Sequence, residues 1–441
     1  MISCVISTAA GCKKKYVEKT NAAPVVSNAS AIKKNPYVIM ISIDGFRADY
    51  LNRPEASDLK NLAATGIEAN YMIPSYPSST FANHTTLSTG LYPDRHGIID
   101  NRFYERNNNE LFDASKQYNG KWFFGLPIWE LALQHYMVPY CSYWFGAGAT
   151  RQGPINENLF IKYNKEANKK QSTLINRVNN IVAELKKPDH TRPHFIAFYI
   201  SQVDEAGHAT GPYSPQTNAA IKVANDAIKL LHDKITTDKE VSQLPINYIV
   251  VSDHGMTEAN TTQTIAIPEV DRNKFLITTD ETMVQIYGLN HDETMRQQEI
   301  ETLFTKLEAD RVSNNTHHNN YNVVRKKNNP YFAMGGVDPL KRIGDILLVA
   351  KAPYQFYNPF VNNGKTPNPK KPKVGCHGYD PKDKDMHATF FAWGPAFNVD
   401  KIDAFQNIHV YPLVVHILGL KYTHVIDGNA KVLVNSKVLK N

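Results

Sequence analysis

Three apolar runs that read as strands each lead into an aspartate, and this repeated event constrains the fold more than any other feature of the chain. Tyr37–Ile43 runs directly into Asp44, and Phe195–Ile200 continues through Ser201, Gln202 and Val203 to Asp204. Tyr248, Ile249, Val250 and Val251 continue through Ser252 to Asp253. Open α/β sheets bind ligands at the carboxyl ends of their strands. Histidines follow two of the aspartates, at His208 and His254. Hard carboxylates and borderline imidazoles converging there predict a divalent metal site, with zinc the best match and more than one ion.

At 441 residues the chain is long for one domain, so a main domain carrying an insertion is expected. Hydrophobic residues make up 42% and charged residues 21%, as in ordinary globular proteins. The formal charge of +7 comes from lysines spread along the chain, with local runs at Lys13-Lys14-Lys15 and Lys370-Lys371-Pro372-Lys373. These runs read as solvated surface and linker, with at most a weak pull on anionic substrates. There is no nucleic-acid recognition motif, so sequence-specific nucleic-acid binding is not expected. No apolar run is long enough to span a bilayer.

Residues 1–10 are mostly apolar and small, and Thr8-Ala9-Ala10-Gly11-Cys12 precedes a polar, lysine-rich stretch. The pattern resembles a bacterial lipoprotein signal, although it is short and lacks a positively charged start. The resemblance implies export and a lipid anchor on Cys12, in the periplasm or outer membrane of a Gram-negative bacterium. The alternative is an uncleaved tail. With a leader removed, Cys141 and Cys376 are the cysteines that remain, and they are expected to stay unpaired.

Residues 13–35 lack a core pattern and read as a tether. Helices are expected over 54–64, closed by Gly66, over 81–89, closed by Gly90, and over 127–136 and 410–418. The Pro- and Ser-rich residues 71–80 read as a loop. Ile221, Ala224, Ile228 and Leu231 recur at helical spacing and predict a further helix. Beyond residue 261 the pattern changes to short strands at 275–277 and 283–287, then a helix with Ile300, Leu303, Phe304 and Leu307 on one face. An Asn- and His-rich loop over 313–322, containing His317 and His318, and a strand at 346–350 follow. This two-layer pattern inside an α/β frame reads as an inserted α+β lobe. A Pro- and Lys-rich linker at 365–373 leads back to a strand at 388–392. The expected organisation is a leader at 1–12, a tether at 13–35, a main α/β domain at 36–261 and 364–441, and an inserted lobe at 262–363.

A site for two ions needs about three ligands per ion. Asp44, Asp204, His208, Asp253 and His254 are five candidates. His377, in Gly375-Cys376-His377-Gly378-Tyr379-Asp380, and Thr80, in Ser78-Ser79-Thr80-Phe81-Ala82-Asn83-His84, are two more. His387 rivals His377, and Thr80 is also a natural helix N-cap. His84 and His96 read as structural hydrogen-bonding residues.

These residues lie within longer stretches that resemble the signatures of nucleotide pyrophosphatases/phosphodiesterases, enzymes of the alkaline phosphatase superfamily. The stretches occur in family order. They are Ile43-Asp44-Gly45-Phe46-Arg47, then Thr80-Phe81-Ala82-Asn83-His84, then Thr89-Gly90-Leu91-Tyr92-Pro93-Asp94-Arg95-His96-Gly97-Ile98-Ile99-Asp100-Asn101. Asp204 through Gly211-Pro212, Ser252-Asp253-His254-Gly255-Met256, and His377-Gly378-Tyr379-Asp380 with Gly394-Pro395-Ala396-Phe397 complete the set. The resemblance covers residues 36–430.

The resemblance implies an α/β fold with an alkaline-phosphatase-like, mostly parallel central sheet flanked by helices, and two Zn2+ ions per chain. Asp204, His208 and His377 would hold one ion. Asp44, Asp253 and His254 would hold the other, together with the Thr80 oxygen. Thr80 would be the nucleophile of a covalent phosphothreonine intermediate, since a threonine hydroxyl attacks poorly unless metal coordination lowers its pKa. Asn101 would hydrogen-bond a non-bridging phosphate oxygen, and Phe81 would line the pocket for a nucleoside or similar group. Tyr163 either faces the substrate or packs at the surface. The implied activity is hydrolysis of phosphodiester or pyrophosphate bonds in a small-molecule nucleotide, releasing a nucleoside monophosphate. A phosphomonoesterase of similar fold usually adds a cation for the extra phosphate charge, and none is recognisable here. A phospholipid-type diesterase is another alternative. A sulfatase would need a Cys/Ser-x-Pro-x-Arg pattern, which the Thr80 region lacks. An inactive nucleotide- or glycan-binding protein would have no need of all seven ligand residues.

Overall fold

Every residue of the strand Tyr37–Ile43 is buried, which requires both faces of its sheet to be covered. The computed structural model describes residues 27–149, 156–168, 170–313, 319–327, 329–333, 338–358, 360–361, 366–367 and 371–440. The expected leader, Cys12, most of the expected tether, and His317 and His318 lie outside the described residues. In chain order, strands β1 (Tyr37–Ile43), β2 (Ile67–Ala69), β3 (Pro139–Ser142), β4 (Phe160–Ile161), β5 (Phe195–Ile200) and β6 (Ile246–Val251) belong to the main sheet. Strands β7 (Phe275–Thr279), β8 (Met283–Gly288), β9 (Tyr321–Arg325) and β10 (Ile346–Ala350) form a second sheet, and β11 (Phe390–Trp393) and β12 (Asp400–Ile402) return to the first. The main sheet has the order β12-β2-β11-β6-β1-β5-β3-β4. Only β11 runs against its neighbours, so the sheet is mixed with a parallel core.

The principal helices are α1 (Ser57–Ala63), α2 (Thr80–Thr89), α3 (Ile128–Gln134), α4 (Gln171–Leu185), α5 (Gln202–Thr210), α6 (Pro215–Thr237), α7 (Glu293–Ser313) and α8 (Val410–Ile417). Alternation along β1 divides the core. Ile39 and Ile41 pack with Leu59 of α1, Val178 of α4 and Ile228 of α6. Val38 and Met40 point the other way, with Leu87 of α2, Trp129 of α3 and Val414 of α8 in the same cluster. Each such side chain contributes roughly 1.5–3 kcal/mol by leaving water. The registers place Ile43 beside Ile200 and Ser42 beside Val251, so β1, β5 and β6 end at one level.

The second sheet has the order β7-β8-β10-β9 and is antiparallel throughout. One face is covered by Ile300, Leu303 and Leu307 of α7. The other face, through Met283, Leu347 and Val349, meets Tyr76, Ile98, Phe103 and Trp122 of the main body. Arg342, buried in this junction, donates to Glu105 Oε2 at 2.7 Å and to the carbonyls of Gly97 and Trp122.

Several local expectations shift. The helix expected over 54–64 is a 3-10 turn, Pro54–Ala56, followed by α1. Gly66 is there for space, since a Cβ would lie 2.0 Å from the carbonyl oxygen of Ala392 on β11. The expected loop over 71–80 contains Met72–Ile73, which pairs with Phe405–Gln406. Tyr321 and Asn322 belong to β9 and not to a loop, because β10 supplies a pairing edge that local composition does not announce. The strand expected from 388 begins at Phe390, and Ala388 makes isolated bridges to Arg47 and Met72. Cys141 and Cys376 are buried and unpaired. Among the described residues no helix is long and apolar enough to cross a membrane.

Candidate active site

The level strand ends deliver the carboxylates to one place. Asp44 is the first residue beyond β1, Asp204 lies in the first turn of α5, and Asp253 follows β6. Gly45, at φ +65°, lets two of these ends approach, since a Cβ there would lie 3.0 Å from the Asp204 Cα. Its amide donates to Asp253 Oδ1 at 3.1 Å. His208 sits one helical turn after Asp204, on the same face of α5. His377 follows the short strand Gly375–Cys376, which pairs with Thr257–Glu258.

Three imidazoles present the same nitrogen to the site. His208 Nδ1 donates to the Gly375 carbonyl at 2.7 Å, His254 Nδ1 to that of Gly255 at 2.8 Å, and His377 Nδ1 to that of Ser78 at 2.9 Å. In the neutral ring each Nε2 is then a lone pair, the form in which imidazole binds metals; in the metal-free chain burial acts to lower His254, but Asp253 outweighs it and raises that imidazole. The Nε2 atoms of His208 and His377 are 3.0 Å apart, and Asp204 Oδ1 lies 3.4 and 3.5 Å from them. Around His254 Nε2 lie Asp253 Oδ2 at 3.0 Å, Thr80 Oγ1 at 3.1 Å and Asp44 Oδ1 at 3.4 Å. Tetrahedral ligands at a Zn–N distance of ~2.0 Å are about 3.3 Å from one another, so both sets have the spacing of a ligand shell. Asp204, His254 and His377 also have ligand atoms within 4.8 Å of one another, so the two sets adjoin through His254.

The buried oxygens Asp44 Oδ1, Asp204 Oδ1 and Asp253 Oδ2 have no hydrogen-bond partner. The second oxygen of Asp44 accepts from the Tyr199 hydroxyl and that of Asp253 from Gly45, so each of these carboxylates reserves one oxygen for the cluster. Burial and the charges of Asp253 and Asp204 hold Asp44 well above the usual carboxylate range. Burial also acts to raise Asp253, but His254 and His84 outweigh it and hold that carboxyl low. Burial depresses His208 and, more strongly, His377, favouring neutral imidazoles. A divalent cation in each set would relieve the carboxylate repulsion and satisfy the orphaned oxygens.

Thr80 opens α2, but the N-cap is Ser79, one residue earlier than the alternative reading placed it. The Thr80 hydroxyl is therefore free to face His254. His84 and His96 brace this helix, in keeping with structural roles. His84 Nδ1 donates to the Thr80 carbonyl at 2.8 Å, and its Nε2 pairs with Ser42 Oγ at 2.9 Å. His387 stacks on Tyr71 and belongs to neither set.

A cleft of about 290 Å³ opens beside Thr80, and Asp44, Phe81, Asn101, Tyr163 and Glu205 line it. Phe81 stacks on Phe145 at 3.9 Å, and the Tyr163 hydroxyl donates to Glu205 Oε1 at 3.1 Å. Asn101 Oδ1 accepts from the Phe81 amide at 3.0 Å, and its Nδ2 donates to Asp280 Oδ2 at 3.3 Å. Sequence reasoning missed Tyr199 and Lys373. Tyr199 is one more aromatic in an apolar run, and only the register shows that its hydroxyl reaches Asp44. Lys373 stands in a run read as linker, yet its Nζ is 3.3 Å from His208 Nε2 and 3.0 Å from Glu281 Oε1.

A family profile described as type I phosphodiesterase / nucleotide pyrophosphatase matches residues 38–380. The chain is 28% identical over 411 residues to an ectonucleotide pyrophosphatase/phosphodiesterase of Caenorhabditis elegans, covering 92% of this chain and 50% of that protein. It is 29% identical over 418 residues to ectonucleotide pyrophosphatase/phosphodiesterase family member 1 of Mus musculus, covering 92% of this chain and 43% of the relative. The chain thus spans about half the length of the curated relatives it matches. The solved structure of human ectonucleotide pyrophosphatase/phosphodiesterase 5 superposes with a TM-score of 0.76 at 22% identity, over 92% of this chain and 100% of that one. An inactive murine form of the same protein, in complex with AMP, superposes with a TM-score of 0.74 at 23% identity, over 91% of this chain and 100% of that one. The mostly parallel, helix-flanked sheet is thus the expected alkaline-phosphatase-like fold.

The bracing of α2 has a pH signature. Burial pushes the His96 pKa down to about 3. Nδ1 accepts from the Ile98 amide at 3.2 Å, so Nε2 carries the proton shared with Thr86 Oγ1 at 3.0 Å. The unfolded chain binds a proton here that the folded chain refuses. The contribution is therefore full above the unfolded pKa of about 6.5 and is lost as pH falls towards 3. From pH 7 to pH 5 the metal-free wild type is predicted to lose about 2 kcal/mol more stability than His96→Gln. Urea denaturation at the two pH values measures the difference, and equal losses would contradict the assignment.

Proposed function

Because the chain belongs to the type I phosphodiesterase / nucleotide pyrophosphatase family, we propose that it hydrolyses phosphodiester or pyrophosphate bonds of nucleotides and releases a nucleoside monophosphate. One observation carries the reading. Three unpartnered carboxylate oxygens and three imidazole nitrogens meet at ligand spacing, with the Thr80 hydroxyl in contact. In this proposal Asp204, His208 and His377 hold one zinc ion, and Asp44, Asp253, His254 and the Thr80 oxygen hold the other. Zinc bound there supplies Lewis-acid stabilisation of phosphoryl charge and lowers the pKa of a coordinated hydroxyl.

The chain's own residues do the rest. Thr80 Oγ forms a bond to phosphorus while the bond to the leaving oxygen breaks, which gives a phosphothreonine diester and a free leaving group. Water then attacks phosphorus, the Thr80–phosphorus bond breaks, and the hydroxyl is regenerated as the nucleoside monophosphate departs. His84 Nδ1 on the Thr80 carbonyl and Asn83 Nδ2 on the Ser79 carbonyl at 2.9 Å hold the start of α2, so the nucleophile meets phosphorus without reorganisation. Asn101, oriented by the Phe81 amide, offers its Nδ2 to a non-bridging oxygen. Such a transition state needs positioning and charge more than proton transfer. Phe81 and Tyr163 offer aromatic surface in the cleft for a base. The AMP complex of the murine relative supports a nucleotide ligand.

A phosphomonoesterase is the second reading, favoured by the ammonium of Lys373 beside His208. That ammonium does not line the cleft beside Thr80, however, and the aromatic cleft is larger than a bare phosphate needs. With zinc, kcat/KM for p-nitrophenyl thymidine 5′-monophosphate is predicted to exceed that for p-nitrophenyl phosphate by about a hundredfold or more, and the reverse preference would sink the diesterase proposal. Thr80→Ala is predicted to lower kcat by about a thousandfold or more, and to abolish the phosphorylated peptide seen by mass spectrometry after rapid acid quench. Normal turnover in that variant would remove Thr80 from its role.

A further inference from the structure

The turn between β7 and β8 reaches into the site from the second sheet, and its two acidic residues hold two different donors. Asp280 accepts from Asn101 Nδ2 at 3.3 Å. Glu281 pairs with Lys373 Nζ at 3.0 Å. The backbone of Lys373 is fixed as well. The buried amide of Gln355 accepts from the Lys373 N–H at 3.2 Å and donates to its carbonyl at 2.8 Å. The next residue, Val374, donates its N–H to the His208 carbonyl at 3.0 Å. A lysine that were merely solvated linker would not be clamped at its backbone by the buried Gln355 and at its ammonium by the half-buried Glu281. Its side chain remains 35% exposed, so it is open to a ligand.

The position of the ammonium gives it a task. Thr80 lies with the Asp44, Asp253 and His254 set, and the aromatic cleft runs past it from Asp44 to Asp204. Lys373 stands at the other set, 3.3 Å from His208 Nε2, and does not line that cleft. In an in-line displacement the leaving oxygen departs on the side opposite the nucleophile. With Thr80 attacking from the first set, the leaving group emerges at the second, where Lys373 stands.

We propose that Lys373, held by Glu281 of the β7–β8 turn, forms a subsite for an anionic leaving group, and that this site prefers nucleoside polyphosphates over diesters whose leaving group carries no further phosphate. The inference rests on the diesterase reading above and deepens it. An ammonium has three donors. One engages Glu281 and a second faces His208 Nε2 in the metal-free chain, which leaves a third for the oxygens of a departing phosphate or pyrophosphate. Glu281, Asp280 and Asp204 are the acidic groups around this ammonium. They would repel an anion that failed to reach the lysine, which makes the subsite selective. The second sheet thereby acquires a role in choosing the leaving group.

The test is the ratio of kcat/KM for ATP to that for p-nitrophenyl thymidine 5′-monophosphate, measured on zinc-loaded wild type, Lys373→Met and Lys373→Arg. A ratio normalises any general loss of activity from the loop beside His208. Charge-assisted hydrogen bonds to phosphate are strong enough that the ratio is expected to fall about tenfold or more in Lys373→Met, and to recover in Lys373→Arg. Equilibrium binding of ATP relative to AMP, on Thr80→Ala protein with and without Lys373→Met, is expected to shift in the same direction without any turnover. An unchanged ratio in both assays would overturn the proposal and leave Lys373 a support for the loop. A ratio that rises in Lys373→Met would overturn it by showing that the lysine disfavours a phosphorylated leaving group. Wild-type protein that hydrolyses neither substrate would overturn this inference together with the reading it rests on.

Discussion

The rest of the structure depends on an electrostatic conflict that the protein alone leaves open. Asp44, Asp204 and Asp253 are brought together where each leaves an oxygen without a hydrogen-bond donor. Like charges at such range in a buried site oppose folding. The surroundings add the Nε2 atoms of His208 and His377, which burial keeps neutral and which have no proton to donate while Nδ1 holds it. Only a cation satisfies donors of this kind. The site is thus a region of stored instability, held in place by the two cores on either side of the main sheet.

Those cores explain how the conflict is sustained. A parallel sheet buried on both faces allows β1, β5 and β6 to end at one level, and each chain then turns immediately into a ligand-bearing segment. The supporting residues are as built as the ligands. The Tyr199 hydroxyl reaches Asp44. Arg177, buried beneath Tyr143 at 3.8 Å, donates to Ser142 Oγ at 3.0 Å and to the Tyr199 carbonyl, fixing the neighbouring strands. Arg342 ties the second sheet to the main body, so the turn carrying Asp280 and Glu281 arrives at the site in a defined position. Specificity for the leaving group and stability of the junction are therefore linked through one packed interface.

The strand ends were legible in the sequence, because an apolar run followed by Asp states both a buried strand and a carboxylate at its tip. His208 was legible from its spacing on a helix, and Thr80 from the stretch around it, although its helix begins one residue away from the cap it was compared with. The hidden parts depend on distant partners. Gly66 reads locally as a helix stop, yet it serves the approach of β11. Tyr321 reads as loop until β10 supplies hydrogen-bond partners. Lys373 lies in a Pro- and Lys-rich run whose composition signals solvent. Its function depends on Gln355 and Glu281, neither of which is near it in local pattern. Residues whose meaning is periodic or local can be read from the chain, and residues whose meaning is a contact between sheets cannot.

The central claim is that the carboxylate and imidazole cluster is a paired metal site. Zinc content per folded chain, by elemental analysis after dialysis against a trace of the metal, tests it most directly. The account predicts about two zinc ions per chain in the wild type and about one when His377→Ala removes a ligand from one set only. A folded wild-type chain that retains no zinc, or a His377→Ala chain that retains as much as the wild type, would contradict it.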